Sequence, residues 1–341
     1  MIDVLLHDKL EISIVLKTRQ RPGSTDHSDA PTRRLCFPGK TADEAWRFSV
    51  VLRLLELIHE ALRNDVVISK RDIYYRDPAL FGSQTTVDRY VDDIAYTLGV
   101  TRSMLNVCAA AKGLIAGAIT FLRNDGSTTD ASIDPEGILV PNLKEVLSAD
   151  LKAVKWVLVI EKEATFRSIA GSAFWDTIIR EGVIITGKGY PDLATRALLR
   201  YCSHPSAQNG FASPPVYGLA DFDPDGIAIL STYKRGSKKL AHESKEHVVP
   251  QLKWLGLRSE HLHADEFDTH AAQGRLTLSK RDRSKATMMI DREIDIDDGD
   301  ALMERRELQT MLMLNTKAEL QLLDAMPDGM NNLLSSMMSK L

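Results

Sequence analysis

Cysteine is scarce: Cys36, Cys108 and Cys202 are the three in 341 residues. An odd, scattered set builds no disulfide framework, and no pair has zinc-site spacing. Disulfide-stapled secreted scaffolds and structural-zinc modules are excluded, and a reducing compartment, cytosol or nucleus, is expected. Long apolar runs are also missing. No stretch approaches the ~20 apolar residues of a spanning helix. The N-terminus, Met1-Ile-Asp-Val-Leu-Leu-His7, has neither a basic start nor a long apolar segment, so no membrane partner is expected. An excess of positive charge is lacking too. Lys and Arg total 43 against 47 Asp and Glu, a net charge of -4. That argues against a protein that coats nucleic acid over its whole surface, but a local basic groove can still track phosphates. Part of the acidity is local, in Asp291, Glu293, Asp295, Asp297, Asp298 and Asp300. There is no internal repeat.

What is present is an ordinary globular composition. Apolar residues make up 44%, and a chain of this length most often holds two domains. Leu10 to Leu16 alternates enough for a strand. Lys17 to Arg34 is polar, with Pro22, Gly23 and Pro31, and reads as a mobile loop bearing Lys17, Arg19, Arg21, Arg33 and Arg34. Thr41 and Glu44 have capping-box spacing, and Phe48, Leu52, Leu55 and Leu62 follow at helical period up to Asn64-Asp65. A second helix begins near Arg71. A third runs from Thr86 to Leu98, with Val87, Tyr90, Val91, Ile94 and Leu98 on one side and Gly99 as its stop. Short helices followed by short strands suggest a helix-turn-helix or winged-helix module.

Gly126 to Gly137 is rich in Gly, Ser, Thr and Asp and reads as a linker. Beyond it the pattern changes. Val154 to Ile160, Gly182 to Thr186 and Val216 to Ala220 are short β-branched runs separated by helical stretches. This βαβ alternation predicts a parallel sheet covered by helices. The overall class is therefore mixed α/β. The predicted organisation is an N-terminal strand and basic loop over 1–40, a winged-helix domain over 41–125, a linker over 126–147, and an α/β domain over 148–341 that ends in a methionine-rich helical extension.

In parallel sheets ligands bind beyond the carboxyl ends of the strands, where Glu161 and Asp221 fall. Asp221 and Asp223 share one side of an extended segment. Three carboxylates suit a hard divalent cation, whereas helix caps or turn formers are the bland reading. Asp221-Phe-Asp-Pro-Asp-Gly226 mimics half a calcium loop, but position twelve is Thr232 where a bidentate Glu is required. An aspartyl nucleophile of the phosphatase type is a further option. Arg71 and Tyr75 lie four apart and share a helical face, while Tyr74 points away. Free phenols have a pKa of about 10 and attack poorly unless a cation favours the phenolate. From spacing alone, paired tyrosines read as packing residues. Gly187-Lys188-Gly189 lacks a full P-loop pattern. Lys234, Arg235, Lys238 and Lys239 form one basic cluster and Lys280, Arg281, Arg283 and Lys285 another, either solvated faces or phosphate contacts. His261 and His263 read as surface residues.

In combination, seven motifs carry a resemblance. They are Lys70-Arg-Asp-Ile-Tyr-Tyr75, Asp77-Pro-Ala-Leu-Phe-Gly82, Lys112-Gly-Leu-Ile-Ala-Gly117, Val159-Ile-Glu-Lys-Glu-Ala-Thr-Phe166, Ile185-Thr-Gly-Lys-Gly-Tyr-Pro-Asp192, Ala220-Asp-Phe-Asp-Pro-Asp-Gly226 and Trp254-Leu-Gly256. From about Val50 to Gly256 the chain resembles the meiotic DNA double-strand-break transesterases of eukaryotes, homologous to the A subunit of DNA topoisomerase VI.

The resemblance implies an N-terminal winged helix carrying the nucleophile Tyr75, with Arg71 one turn before it. It implies a C-terminal Toprim domain holding Mg²⁺ (Mn²⁺ in vitro) on Glu161, Asp221 and Asp223. Asp225 falls where relatives often have a non-acidic residue and is not expected to be a ligand. Lys188 and Tyr190 lie in a loop similar to a DNA-contacting segment, and Lys112, Lys234 and Arg235 complete the expected DNA contacts. Double-stranded DNA, a second copy of the chain completing each active site, a topoisomerase VI B-like subunit, and other meiotic accessory proteins are the implied partners. The implied location is the chromosomes of the nucleus. Competing readings are a topoisomerase VI A subunit that relaxes DNA with an ATPase B subunit, a catalytically silent DNA-binding scaffold, and a hydrolytic Toprim nuclease.

Overall fold

The computed structural model describes residues 12–17, 32–108, 112–134, 136–236, 247–262, 275–292, 298–324 and 329–338. Arg19, Arg21, Lys238, Lys239, His263, Glu293, Asp295 and Asp297 lie outside the described residues. The chain divides into two compact units, Met1–Ala110 and Ala111–Leu341, each with its own buried apolar cluster.

In the first unit β1 (Ile12–Lys17) and β2 (Thr32–Phe37) form an antiparallel ribbon in register from Ile12↔Phe37 to Lys17↔Thr32. The second strand begins inside the stretch expected as polar loop. Arg33 and Arg34 disguise it, whereas Leu35 and Cys36 are buried. Helix α1 (Ala42–Arg63) starts at Thr41, whose hydroxyl accepts the Glu44 N–H at 3.2 Å. The Glu44 carboxylate accepts from the Lys40 N–H at 2.9 Å instead of closing the box on Thr41. The buried face is Phe48, Val51, Leu54, Leu57, Ile58 and Ala61, rotated by about a residue from the expected one. Apolar residues run almost all round this helix, so periodicity fixes its existence better than its phase.

After β3 (Ile68–Ser69) come α2 (Lys70–Arg76), α3 (Pro78–Phe81) and α4 (Gln84–Leu98), and β4 (Val107–Cys108) pairs in parallel with β3. Ser69 and Asp72 form a complete capping box on α2. Helix α4 buries Val87, Tyr90, Val91 and Ile94 and ends at Gly99 with φ 68°, as its pattern predicts, whereas Leu98 of the expected face is exposed in the last turn.

The second unit runs through β5 (Leu114–Gly117), β6 (Thr120–Arg123), β7 (Thr128–Asp130), β8 (Ile138–Leu139), β9 (Val146–Asp150), β10 (Trp156–Ile160), α5 (Glu163–Ala170), α6 (Ala173–Ile178), β11 (Gly182–Thr186), α7 (Leu193–Ser203), β12 (Val216–Leu219), α8 (Pro224–Arg235) and β13 (Lys253–Gly256). It closes with β14 (Arg275–Thr277), α9 (Lys280–Ile290), α10 (Gly299–Leu314), β15 (Thr316–Ala318), α11 (Gln321–Asp324) and α12 (Gly329–Met338).

Its main sheet has the order β13-β12-β10-β11-β5-β8. The first four strands are parallel to their neighbours, as the βαβ pattern predicts, and β5 and β8 add antiparallel pairs. Strands β10 and β11 are buried along their whole length, which is why they read as runs rich in β-branched residues without polar alternation.

The expected boundaries shift here. The 126–147 segment is not a free linker: β7 pairs with β6, β8 pairs with β5, and β9 starts at Val146. Likewise 114–123, expected in the N-terminal domain, supplies β5 to the main sheet. Turns between very short strands share the Gly, Ser, Thr and Asp content of linkers, so composition alone could not separate them. Gly117 of β5 sits at φ 125° with the Gly182 carbonyl 2.1 Å from where a Cβ would stand.

Gly182 begins β11 directly under the Trp156 ring, with ring atoms 2.1 Å from its missing Cβ. Gly182→Ala is therefore expected to overpack this contact and lower stability by about 1–3 kcal/mol, measured as a shift in the denaturant midpoint at unchanged m-value.

Candidate active site

Two adjacent parallel strands assemble the acids. Beyond the Ile160↔Leu219 pair of β10 and β12, Glu161 and Asp221 leave the sheet side by side. The Glu161 N–H donates to the Leu219 carbonyl at 2.9 Å, and the Asp221 N–H donates to Glu161 Oε2 at 2.9 Å. Both side chains are buried: the residues are 8% and 5% exposed. Phe222 turns into the core while its backbone pairs with Ala318, at 2.8 and 3.0 Å. Asp223 then caps α8, accepting the Gly226 N–H at 2.7 Å. A Cβ on Gly226 would stand 2.4 Å from the Asp221 carbonyl, so the tight Asp-Phe-Asp-Pro-Asp-Gly turn requires glycine.

The C-terminal segment completes this corner, and no sequence signal pointed to it. Leu320 donates its N–H to Asp221 Oδ1 at 2.8 Å. Lys162 Nζ lies 2.7 Å from Asp221 Oδ2 and 3.3 Å from Glu319. Burial and repulsion from Asp221 push the Glu161 carboxyl up to about 7, against the opposing Asp221 N–H bond. Asp223 is raised by burial and by its neighbours Asp221 and Asp225, with the Gly226 N–H working the other way. Burial alone would lower Lys162, but Asp221 and Glu319 outweigh it and hold the ammonium above its usual value.

Among the described residues no three His, Cys, Asp or Glu side chains converge as a preformed metal cage. Each of the three acids is engaged by a protein N–H, and Asp221 also by an ammonium. The donor chemistry nonetheless fits a hard divalent cation: all oxygen, all carboxylate, and short of positive charge at two of the three positions.

The loop after β11 wraps the same strand end. Thr186 Oγ1 and the Gly189 N–H both donate to the Glu161 carbonyl, at 3.2 and 2.9 Å. Lys188, at φ 52°, reaches Glu163 at 3.1 Å. Lys112 Nζ donates to the Lys188 carbonyl at 3.4 Å. The half-exposed Tyr190 donates its hydroxyl to Asp225 at 3.1 Å and accepts from Lys285 at 2.6 Å. Lys285 also pairs with Asp225. Burial would raise Asp225, but Lys285 holds it below its ordinary value. Lys112, Lys188 and Tyr190 are thus gathered around Glu161, and Lys285 joins them from α9.

Lys234 and Arg235 are not. Lys234, 4% exposed, is paired with Asp300 and Glu304 of α10. Arg235 bonds Glu304 at 2.8 Å and lies 3.4 Å from Asp298. The expected phosphate contacts are instead a clamp between α8 and α10, because the acids that neutralise them lie too far along the chain to be seen from spacing. His261, read as a surface residue, is half-buried and accepts the Arg258 N–H at 3.0 Å.

In the first unit Tyr75 stands on α2 with 60% of its surface exposed. The Arg71 guanidinium lies 5.8 Å from the Tyr75 ring centroid. Tyr74 packs instead on the unit's core. Both tyrosines, Lys70, Arg71, Gly82, Ser83, Gln84 and Asp88 line an open groove of about 600 Å³. Lys70 has a structural task that the sequence did not reveal: it is buried and bound to Asp92 at 2.6 Å, tying α2 to α4. Burial pulls its ammonium below the usual value despite that carboxylate.

Comparison with known proteins agrees with this architecture. Residues 156–334 match the model of the topoisomerase 6 A-subunit/Spo11 Toprim domain, and residues 46–107 match that of type IIB DNA topoisomerase. The human meiotic recombination protein SPO11 is 33% identical over 82% of this chain and 67% of its own length. Meiotic recombination protein rec12 of Schizosaccharomyces pombe is 35% identical, over 94% and 89%. The A3 subunit of DNA topoisomerase 6 from Oryza sativa subsp. indica is 34% identical, over 86% and 63%. The two domain matches define an enzyme, a DNA-cleaving transesterase of the type IIB topoisomerase class. The chain belongs to the topoisomerase 6 A-subunit/Spo11 family.

The clamp role of Lys234 has a direct test. Lys234→Ala is expected to cost about 1–3 kcal/mol of stability through the lost charged hydrogen bonds, read as a drop in Tm. The salt dependence of DNA binding by the folded variant should match wild type.

Proposed function

We propose that this chain makes meiotic DNA double-strand breaks by topoisomerase-like transesterification and so initiates recombination, with Tyr75 as the nucleophile. The observation that carries the reading is the exposed Tyr75 phenol beside Arg71, in a chain whose Toprim sheet presents Glu161, Asp221 and Asp223 at adjoining strand ends. We take the first unit, a β-ribbon packed with helices α1 to α4, as a winged-helix module that delivers α2 to duplex DNA.

In the proposed reaction Tyr75 Oη attacks a backbone phosphorus in line. The bond from phosphorus to the 3′ oxygen breaks, the protein is joined to the 5′ end, and the phenol proton ends on the departing 3′ hydroxyl. Arg71 is one helical turn from Tyr75, where a guanidinium favours the phenolate or grips the target phosphate. Lys112, Lys188 and Tyr190 are assigned to the DNA backbone beside the acids. Glu161, Asp221 and Asp223 would hold Mg²⁺ (Mn²⁺ in vitro), which when bound supplies positive charge to the oxygens of the transferring phosphate. The phosphotyrosyl link conserves the bond energy, so the cut needs neither water nor ATP.

The reading includes a homodimer in which the tyrosine of one protomer serves the acids of the other, so that two composite sites cut two strands. It also includes a topoisomerase VI B-like subunit, other meiotic accessory proteins, and a place on the chromosomes of the nucleus. Among the described residues no helix is long and apolar enough to cross a membrane. A second reading is favoured by the 34% identity to a topoisomerase 6 A-type protein: the chain would relax DNA together with an ATPase B subunit. Relaxation of supercoiled DNA on adding such a subunit would select it.

The primary test incubates the protein and its required partners with supercoiled DNA and Mg²⁺ or Mn²⁺ and captures protein joined to 5′ ends. Tyr75→Phe and Glu161→Gln should abolish the adduct and Tyr74→Phe should retain it. Free 5′ phosphates that survive Tyr75→Phe would establish a hydrolytic nuclease instead, and DNA binding without any cut would leave the silent scaffold standing and point to a missing partner.

DNA affinity should fall steeply with salt, and neutralising Lys188 should reduce the slope of log K against log salt by about 1. Binding that ignores salt would remove the proposed phosphate groove.

A further inference from the structure

Both oxygens of the buried Asp221 carboxylate are taken. Oδ1 accepts the Leu320 N–H at 2.8 Å, and Oδ2 lies 2.7 Å from Lys162 Nζ. Lys162 follows Glu161 directly, so its stem starts at the strand end and its ammonium folds back over the neighbouring acid. Two further oxygens face that ammonium from the C-terminal segment: Glu319 Oε2 at 3.3 Å and Gln321 Oε1 at 3.2 Å. Lys162 thus has one partner deep in the acid corner and two at its rim. Its side chain is 27% exposed and that of Glu319 is 47% exposed, against 7% for Asp221. A divalent cation drawn to Asp221 Oδ2 meets the ammonium at the same lone pairs, and two cations on one carboxylate oxygen repel strongly at such range. The ammonium can leave Asp221 without becoming unpaired, because its rim partners already bind it.

We propose that Lys162 is a tethered counter-ion of the acid site, which holds Asp221 before a divalent cation arrives and withdraws onto Glu319 and Gln321 when one binds. The proposal rests on the reading of Glu161, Asp221 and Asp223 as ligands, and it makes Lys162 a positioning residue. Loading is then an exchange of one cation for another, and the acid corner never carries its full negative charge bare. Divalent affinity is held below what three unopposed carboxylates would give.

The test is a Mn²⁺ titration of the metal-free 341-residue chain without DNA, read by the electron paramagnetic resonance of free Mn²⁺, with thermal unfolding recorded with and without the ion. Lys162→Gln should bind Mn²⁺ at least about fivefold more tightly than wild type. Its metal-free Tm should fall, and Mn²⁺ should raise that Tm more than it raises the wild-type value. Lys162→Met, which keeps the apolar stem, should behave alike and serves if the glutamine variant does not fold. Lys162→Arg should stay near wild type. Wild-type binding that is lost in Glu161→Gln but unchanged or weakened in both Lys162→Gln and Lys162→Met overturns the counter-ion role and leaves the metal site standing. Mn²⁺ binding that is absent, or indifferent to Glu161→Gln, overturns the metal-site reading and the counter-ion with it.

Discussion

Two carboxylates buried against each other at the ends of neighbouring parallel strands are the constraint on which the second unit turns. Glu161 and Asp221 cannot avoid one another, because β10 and β12 are paired up to Ile160 and Leu219, one residue before Glu161 and two before Asp221. Burying two like charges this way is costly unless each finds donors. The surrounding chain reads as a set of answers to that cost. The Asp221 N–H serves Glu161, the Leu320 N–H serves Asp221, and Lys162 brings a positive charge between the β10 end and the C-terminal segment. Even so, Glu161 stays poised near neutrality. Such a residual imbalance is common where a site is built for chemistry instead of for stability.

The first unit solves the opposite problem. Its nucleophile candidate must be held out in water without loosening the helix that carries it. Helix α2 is only seven residues long, too short to persist on its own. It is fixed by the Ser69–Asp72 capping box at its start and by the buried Lys70–Asp92 pair. Tyr74 and Ile73 bury into the core, while Arg71 and Tyr75 stay on the open face. The motif Lys-Arg-Asp-Ile-Tyr-Tyr therefore alternates tasks: anchor, open face, cap, core, core, open face.

Much of this was legible in the sequence where local pattern and long-range order coincide. The β-branched runs of β10, β11 and β12, the helical stop at Gly99 and the position of Glu161 and Asp221 at strand ends all follow from periodicity and from how parallel sheets are covered. What stayed hidden depends on partners distant in the chain. β2 hid behind Arg33 and Arg34. β7 and β8 hid behind turn residues that have the composition of a linker. Lys234 and Arg235 looked like a free basic cluster because their neutralising acids, Asp298, Asp300 and Glu304, come more than 60 residues later. Glu319 and Leu320 carried no signal at all, since a backbone N–H aimed at a carboxylate leaves no mark in the residue type that supplies it.

The bond from Leu320 to Asp221 spans 99 residues, and the Ala318 backbone pins Phe222 just beside it. The acid corner is consequently finished during synthesis only after Leu320 has been added, 99 residues after Asp221. A nascent polypeptide that has already displayed Tyr75 and both acidic motifs outside the ribosome still lacks the strand and the N–H that hold Asp221 in place. An enzyme of a class that cuts DNA is in this way unfinished until Leu320 has been added, and products of translation interrupted before that residue leave the corner unbuilt.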